Sequence, residues 1–120
     1  PYNLSYTRST GELNVDVPSF IPAQGIAAPQ GASHYQLQLA ACALDLNSKK
    51  NLGQAIESSI LAWDDVATTA LSLPLSLPAA SAFPVFVLLQ IAFLEQVNAD
   101  YYPLNNGAFN ACSIIKVDLP

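Results

Sequence analysis

The sequence predicts an all-β fold: an antiparallel β-sandwich, immunoglobulin-like in its number of strands, or else a small barrel. Three observations carry this prediction. Apolar residues recur at every second position along most of the chain, Pro and Gly punctuate that alternation at short intervals, and no stretch has helical spacing strong enough to displace it. Six to eight short strands joined by such turns imply two packed sheets, and alternation alone does not separate a sandwich from a closed barrel.

The elements follow in chain order. Leu4 and Tyr6 share one parity against Asn3, Ser5 and Thr7, and Leu13, Val15 and Val17 alternate with Asn14 and Asp16. With Ser9-Thr10-Gly11 between them, the two segments read as a hairpin with one dry face. Pro18 and Pro22 end the second strand or carry it along an edge, and residues 23–33 read as a loop. From His34 to Leu46 a strand is expected, half-wet in its Gln36/Gln38 half and apolar on both sides afterwards. Residues 47–53 read as a polar turn. Residues 54–66 admit either one or two helical turns near Gln54–Ile60 or a short strand near Ser58–Trp63.

Leu71, Leu73, Leu75 and Leu77 then line one side of a strand that carries Pro74 on the other. Proline cannot donate to a ladder, so this strand belongs at an edge or a bulge. Val85, Val87, Leu89, Ile91, Phe93 and Val97 share a parity, and Phe86, Leu88, Ala92 and Leu94 fill much of the other. Such a strand belongs in the middle of a sheet, with part of its outer face covered. Asn98-Ala99-Asp100 reads as a turn into a short strand at Tyr101–Leu104, and Asn105-Asn106-Gly107 as another. A final strand from about Ala111 to Leu119 sets Ser113, Ile115 and Val117 against Ile114 and Lys116.

With 120 residues and 52% hydrophobic side chains, the chain can bury the core of one domain, residues 1–120. Four basic residues against nine acidic ones give a net charge of −5. Arg8, Lys49, Lys50 and Lys116 are too few and scattered to track a phosphate backbone, so nucleic acid is excluded as a partner. The longest apolar run, from Phe83, is too short for a membrane span.

The segments Val17-Pro18-Ser19-Phe20-Ile21-Pro22-Ala23, Gly31-Ala32-Ser33-His34-Tyr35 and Tyr102-Pro103-Leu104-Asn105-Asn106-Gly107-Ala108-Phe109-Asn110-Ala111 resemble the C-terminal half of a family of uncharacterised proteins, mostly from Bacteroidetes. The closing Ser113-Ile114-Ile115-Lys116-Val117 extends the similarity over nearly the whole chain. The resemblance implies that these residues form the C-terminal part of a longer protein with a basic N-terminal half. It supplies no catalytic or binding residue. The family commonly has small or aliphatic residues at the positions of Cys42 and Cys112, which speaks against a fold-defining disulfide.

Chemistry-bearing residues are sparse. His34 is the only histidine, and with Cys42 and Cys112 it is short of a zinc ligand set. His34 and Cys42 share a parity but stand about 27 Å apart along one strand, beyond the reach of a nucleophile–base pair. The two cysteines suit either separate small thiols or, in an exported protein, one disulfide. Asp64-Asp65 reads as a solvated turn, and Glu95 lies on an apolar parity at a strand end. No metal, cofactor or catalytic group is expected, and the chain reads as a non-enzyme. The expected function is a structural or protein-interaction domain. Its partner is a protein surface, the missing half or a second copy, met through Phe86, Leu88, Ala92 and Leu94. The alternative is a carbohydrate- or peptide-binding module that uses Tyr35, Trp63, Tyr101 and Tyr102 as an aromatic platform.

Overall fold

The computed structural model describes residues 2–45, 47, 50–104 and 111–119, and these form two antiparallel sheets. The first begins as the expected hairpin, β1 (Asn3–Thr7) with β2 (Glu12–Val17). Gly11 supplies the positive φ of the connection, at 78°. Beside β2 lies β6 (Leu71–Ser76), and the order β1-β2-β6 brings Tyr6, Leu13 and Leu75 into one inward row and Leu4, Val15 and Leu73 into the next. Among the described residues β6 has no ladder partner other than β2, so Pro74 sits in an edge strand, as its missing donor requires.

The larger sheet is built on two long strands, β3 (His34–Asp45) and β7 (Val85–Val97), paired from His34↔Leu94 to Ala43↔Val85. β3 alternates strictly: Tyr35, Leu37, Leu39, Ala41 and Ala43 are buried and the residues between them are not. Its far side carries β4 (Lys50–Glu57) and the two-residue β5 (Leu61–Ala62). β7 carries β8 (Asp100–Pro103) and β9 (Ala111–Asp118) on its other side. Six strands thus fill four lateral positions, and the sheet curls toward half a barrel.

One open alternative is resolved and three expectations are corrected. The ambiguous 54–66 region is strand up to Glu57 and again at Leu61–Ala62, because Gln54, Ala55 and Ile56 find ladder partners on β3. The strand also reaches back over residues 50–53, which read as turn. Within the loop of residues 23–33, Pro22–Gly25 makes one helical turn, with proline at its first position where no intrahelical donor is needed. In β9 the parity breaks. Val87 pairs with Lys116 but Leu88 with Ile114, so Ile115 is the extra residue of a bulge. Val117 therefore shares the outer face with Ile114, and Ile115 packs against the core. The expected turn at Asn105–Gly107 lies outside the described residues.

The core fills the space between the sheets, with Leu13, Val15 and Leu73 on one side and Tyr35, Leu39, Val85 and Val87 on the other. One end is closed by the segment around Phe20, whose carbonyl accepts from Thr68 N–H while Ala23 N–H donates to the Asp64 carbonyl. The seam between β1 and β9 is closed at one end by Arg8. Its Nη2 donates to the Asp118 side chain at 2.8 Å and its Nη1 to the Ser81 carbonyl, also at 2.8 Å. The radius of gyration, 15.9 Å, exceeds the roughly 13.6 Å usual for this length, as expected if part of the larger sheet has no covering layer.

Candidate interaction surface

The outer face of the larger sheet follows from its register, because residues paired across antiparallel strands share a face. Two complete cross-strand rows are apolar: Gly53, Cys42, Phe86 and Val117 form one, and Ala55, Ala40, Leu88 and Ile114 the other. The third row is Glu57, Gln38, Gln90 and Cys112, and polar contacts tie it together, with Gln38 Nε2 donating to Glu57 at 2.7 Å. Four strands at about 4.8 Å and two rows at about 6.6 Å each give the apolar rows a projected area of roughly 250 Å².

None of these outer residues packs against the core cluster. Phe86 and Leu88 are half-buried by their neighbours in the sheet, while Ile114 and Val117 stay 61% and 50% exposed. The face is stepped. Small residues on β3 and β4 leave a shallow trough bordered by Leu88, and bulky residues on β7 and β9 rise beside it. Gly53 contributes to the trough without being forced to by its own fold. A Cβ there would meet Ala41 O and Cys42 Cβ at an ordinary 3.5 Å.

Of the residues expected to form a partner surface, Phe86, Leu88 and Ala92 lie on this outer face, with Ala92 two rows beyond the apolar pair. Leu94 does not contribute, being 8% exposed. The residues that sequence reasoning missed are Ala40, Cys42, Gly53 and Ala55, whose place depends on the β3–β4 register, and Ile114 and Val117, whose common face depends on the bulge.

The four candidate platform aromatics are not brought together. Tyr35 is fully buried and packs against Phe20, so it offers no face to a ligand; its parity with Leu37 and Leu39 was the signal. Burial, and to a lesser degree the Asp64 carboxylate, raises its phenol above the usual value of 10.0. Trp63 is half-buried against the core and its Nε1 donates to the Ile26 carbonyl at 3.0 Å. Tyr101 and Tyr102 are exposed, but as neighbours in β8 they point to opposite faces; Tyr101 meets the His34 ring edge-on at 4.8 Å.

Cys42 and Cys112 are free thiols. They pair with Phe86 and Gln90 from opposite sides of β7, which puts them about 16 Å apart, well beyond disulfide reach. Among the described residues no three His, Cys, Asp or Glu side chains gather as a metal site, and no helix is long and apolar enough to cross a membrane.

No protein-family model matches the chain, and neither the curated proteins nor the solved structures contain a match.

Proposed function

We propose that this domain is a non-catalytic protein-interaction module, and that the two apolar rows centred on Phe86 and Leu88 are its contact face. The observation that carries this reading is an antiparallel sheet that is apolar on both sides and covered on one. A half-wet sheet normally alternates apolar-in with polar-out, and here the alternation fails over two adjacent rows while the next row is polar. An apolar centre with a polar rim is the usual anatomy of a protein contact. The rows are small against a standard interface of about 800 Å² per partner, so the Gln38/Gln90 rim takes part in the contact. A carbohydrate platform receives less support, because Tyr101 and Tyr102 face apart and Tyr35 is buried.

The test is site-specific photo-cross-linking in the organism that makes the protein. A benzoylphenylalanine in place of Leu88 is expected to give a discrete protein adduct, and the same group in place of the loop residue Val66 is not. Equal cross-linking at both positions, or none at Leu88, overturns the reading.

A further inference from the structure

We propose a second binding site at the β1/β9 seam, one that accepts an extended strand of another protein by pairing with the free edge of β9. Among the described residues β1 pairs only with β2, and β9 only with β7, so two strand edges face each other across the seam without a ladder between them. Arg8 and Asp118 close one end. Toward the other end the sheets part into a cleft of about 350 Å³, lined by Tyr2, Val17 and Phe20 on one side and Leu89, Ile91 and Ile115 on the other.

Ala111 and Ser113 mark what is missing. They pair with Ile91 and Leu89 and therefore point inward. Inner positions of β3 from Tyr35 to Ala43 are all buried, and those of β7 from Val85 to Phe93 are buried or half-buried, yet Ala111 and Ser113 are exposed. The sandwich has a four-position sheet facing a three-strand sheet, and the uncovered position is the one over β9.

The occupant follows from the lining and the edge together. No charged residue lines the cleft although the chain carries a net charge of −5, so the side chains that enter must be uncharged and apolar. Unpaired amides and carbonyls along Ala111–Ile115, about 16 Å of edge, match an ordinary strand of five or six residues. A strand with apolar residues at alternate positions satisfies both: its backbone extends the larger sheet from β9, and every second side chain enters the cleft. This is strand addition, in which main-chain bonds give affinity and alternate side chains give specificity.

The probe is a capped heptapeptide alternating threonine and isoleucine, added at about 1 mM to the full chain and read by amide hydrogen exchange. Alternate amides between Ala111 and Ile115 are expected to exchange about tenfold more slowly, as expected for amides drawn into a ladder. Ser113→Arg and, separately, Ala111→Glu are expected to abolish the protection. Both positions are exposed, so the variants should keep the parent circular dichroism, and Val66→Arg should bind as the parent does. Two further peptides, each N-methylated on one alternate set of residues, separate strand pairing from greasy adhesion: one is expected to bind and the other to fail. The proposal is overturned if both methylated peptides protect β9, if the unmodified peptide protects nothing, or if the arginine variant still binds. It is overturned also if β9 becomes protected with rising protein concentration and no peptide, which would assign the seam to a second copy.

Discussion

Gly11→Ala isolates the joint that holds the smaller sheet together. A Cβ on Gly11 would lie 2.0 Å from the Leu77 carbonyl oxygen and 2.8 Å from its carbon. Both atoms are backbone, so no rotamer change relieves the contact, and the chain at Leu77 must move. That movement breaks the bond from Leu77 N–H to the Gly11 carbonyl, now 2.8 Å, and loosens Leu75 and Leu77 in the core. Alanine at a φ of 78° costs about 1 kcal/mol or a little more. The lost hydrogen bond adds about 1 kcal/mol, and the displaced core leucines about 1–2 kcal/mol. The stiffer unfolded chain offsets about 0.5 kcal/mol of this. The expected net loss is roughly 3 kcal/mol.

Gly53→Ala is the matched comparison, since its φ is not in the left-handed region and its nearest neighbours stand at 3.5 Å. It should leave stability unchanged or raise it by up to about 0.5–1 kcal/mol. Urea unfolding followed by the fluorescence of Trp63, the only tryptophan, reads both variants. With a slope of about 1.5 kcal/mol per molar, Gly11→Ala should lower the midpoint by about 2 M. A loss below about 1 kcal/mol, or equal losses for the two glycines, would refute the steric reasoning.

Three further outcomes are expected. Arg8→Met removes bonds to the Asp118 carboxylate and to the Asp118, Ser81 and Phe83 carbonyls and should cost about 2 kcal/mol, with Asp118→Asn costing less because the three carbonyl contacts survive; paired urea midpoints measure both. Tyr35, with a folded pKa raised above 10.0, contributes stability that is intact below that value and is lost as pH rises through the folded one. Its buried hydroxyl has no hydrogen-bond partner among the described residues, so Tyr35→Phe should cost nothing at pH 7 and should flatten the alkaline loss, as urea midpoints at neutral pH and about pH 11 will show. Leu88→Asn should stay within about 1 kcal/mol of the parent, whereas Leu39→Asn, on the neighbouring strand opposite Leu89 and facing inward, should cost more than about 3 kcal/mol by thermal unfolding.

Alternation was enough to locate the hairpin, the leucine edge strand and the central strand, because each keeps one face dry over five or more residues. It failed where tertiary pairing outweighed local character. Gln54, Ala55 and Ile56 carry no strand signal of their own, and are strand because β3 lies alongside with unpaired groups to satisfy. A single extra residue at Ile115 reverses the faces on either side of it, and nothing in Ser113-Ile114-Ile115-Lys116-Val117 announces a bulge. Phe86 and Leu88 were legible as the parity opposite to a core strand. The trough beside them was not, since Gly53 and Ala55 reach that face only by pairing with residues 11 and 15 positions earlier in the chain.

The bulge at Ile115 links the two surfaces proposed for this domain. By taking one extra residue it turns Val117 outward to complete the first apolar row, next to Phe86, and keeps Ile114 outward in the second, next to Leu88. The same extra residue is directed at the core and lines the open cleft beside Ala111 and Ser113. Without the bulge, strict alternation through Cys112 and Ile114 would put Lys116 on the outer face beside Phe86, in the place Val117 now takes, and Val117 inside. A charged ammonium there would break up the apolar rows, and the desolvation penalty would oppose any dry contact. Deleting Ile115 joins Ile114 to Lys116 and leaves Ile114 opposite Leu88 and Val117 opposite Phe86, so cross-linking at Leu88 should persist, while peptide protection along β9 should weaken with the loss of Ile115 from the cleft lining. If the deletion folds and cross-linking at Leu88 is lost, the outer rows do not follow from this register; if peptide protection along β9 is unchanged, Ile115 is no part of the cleft.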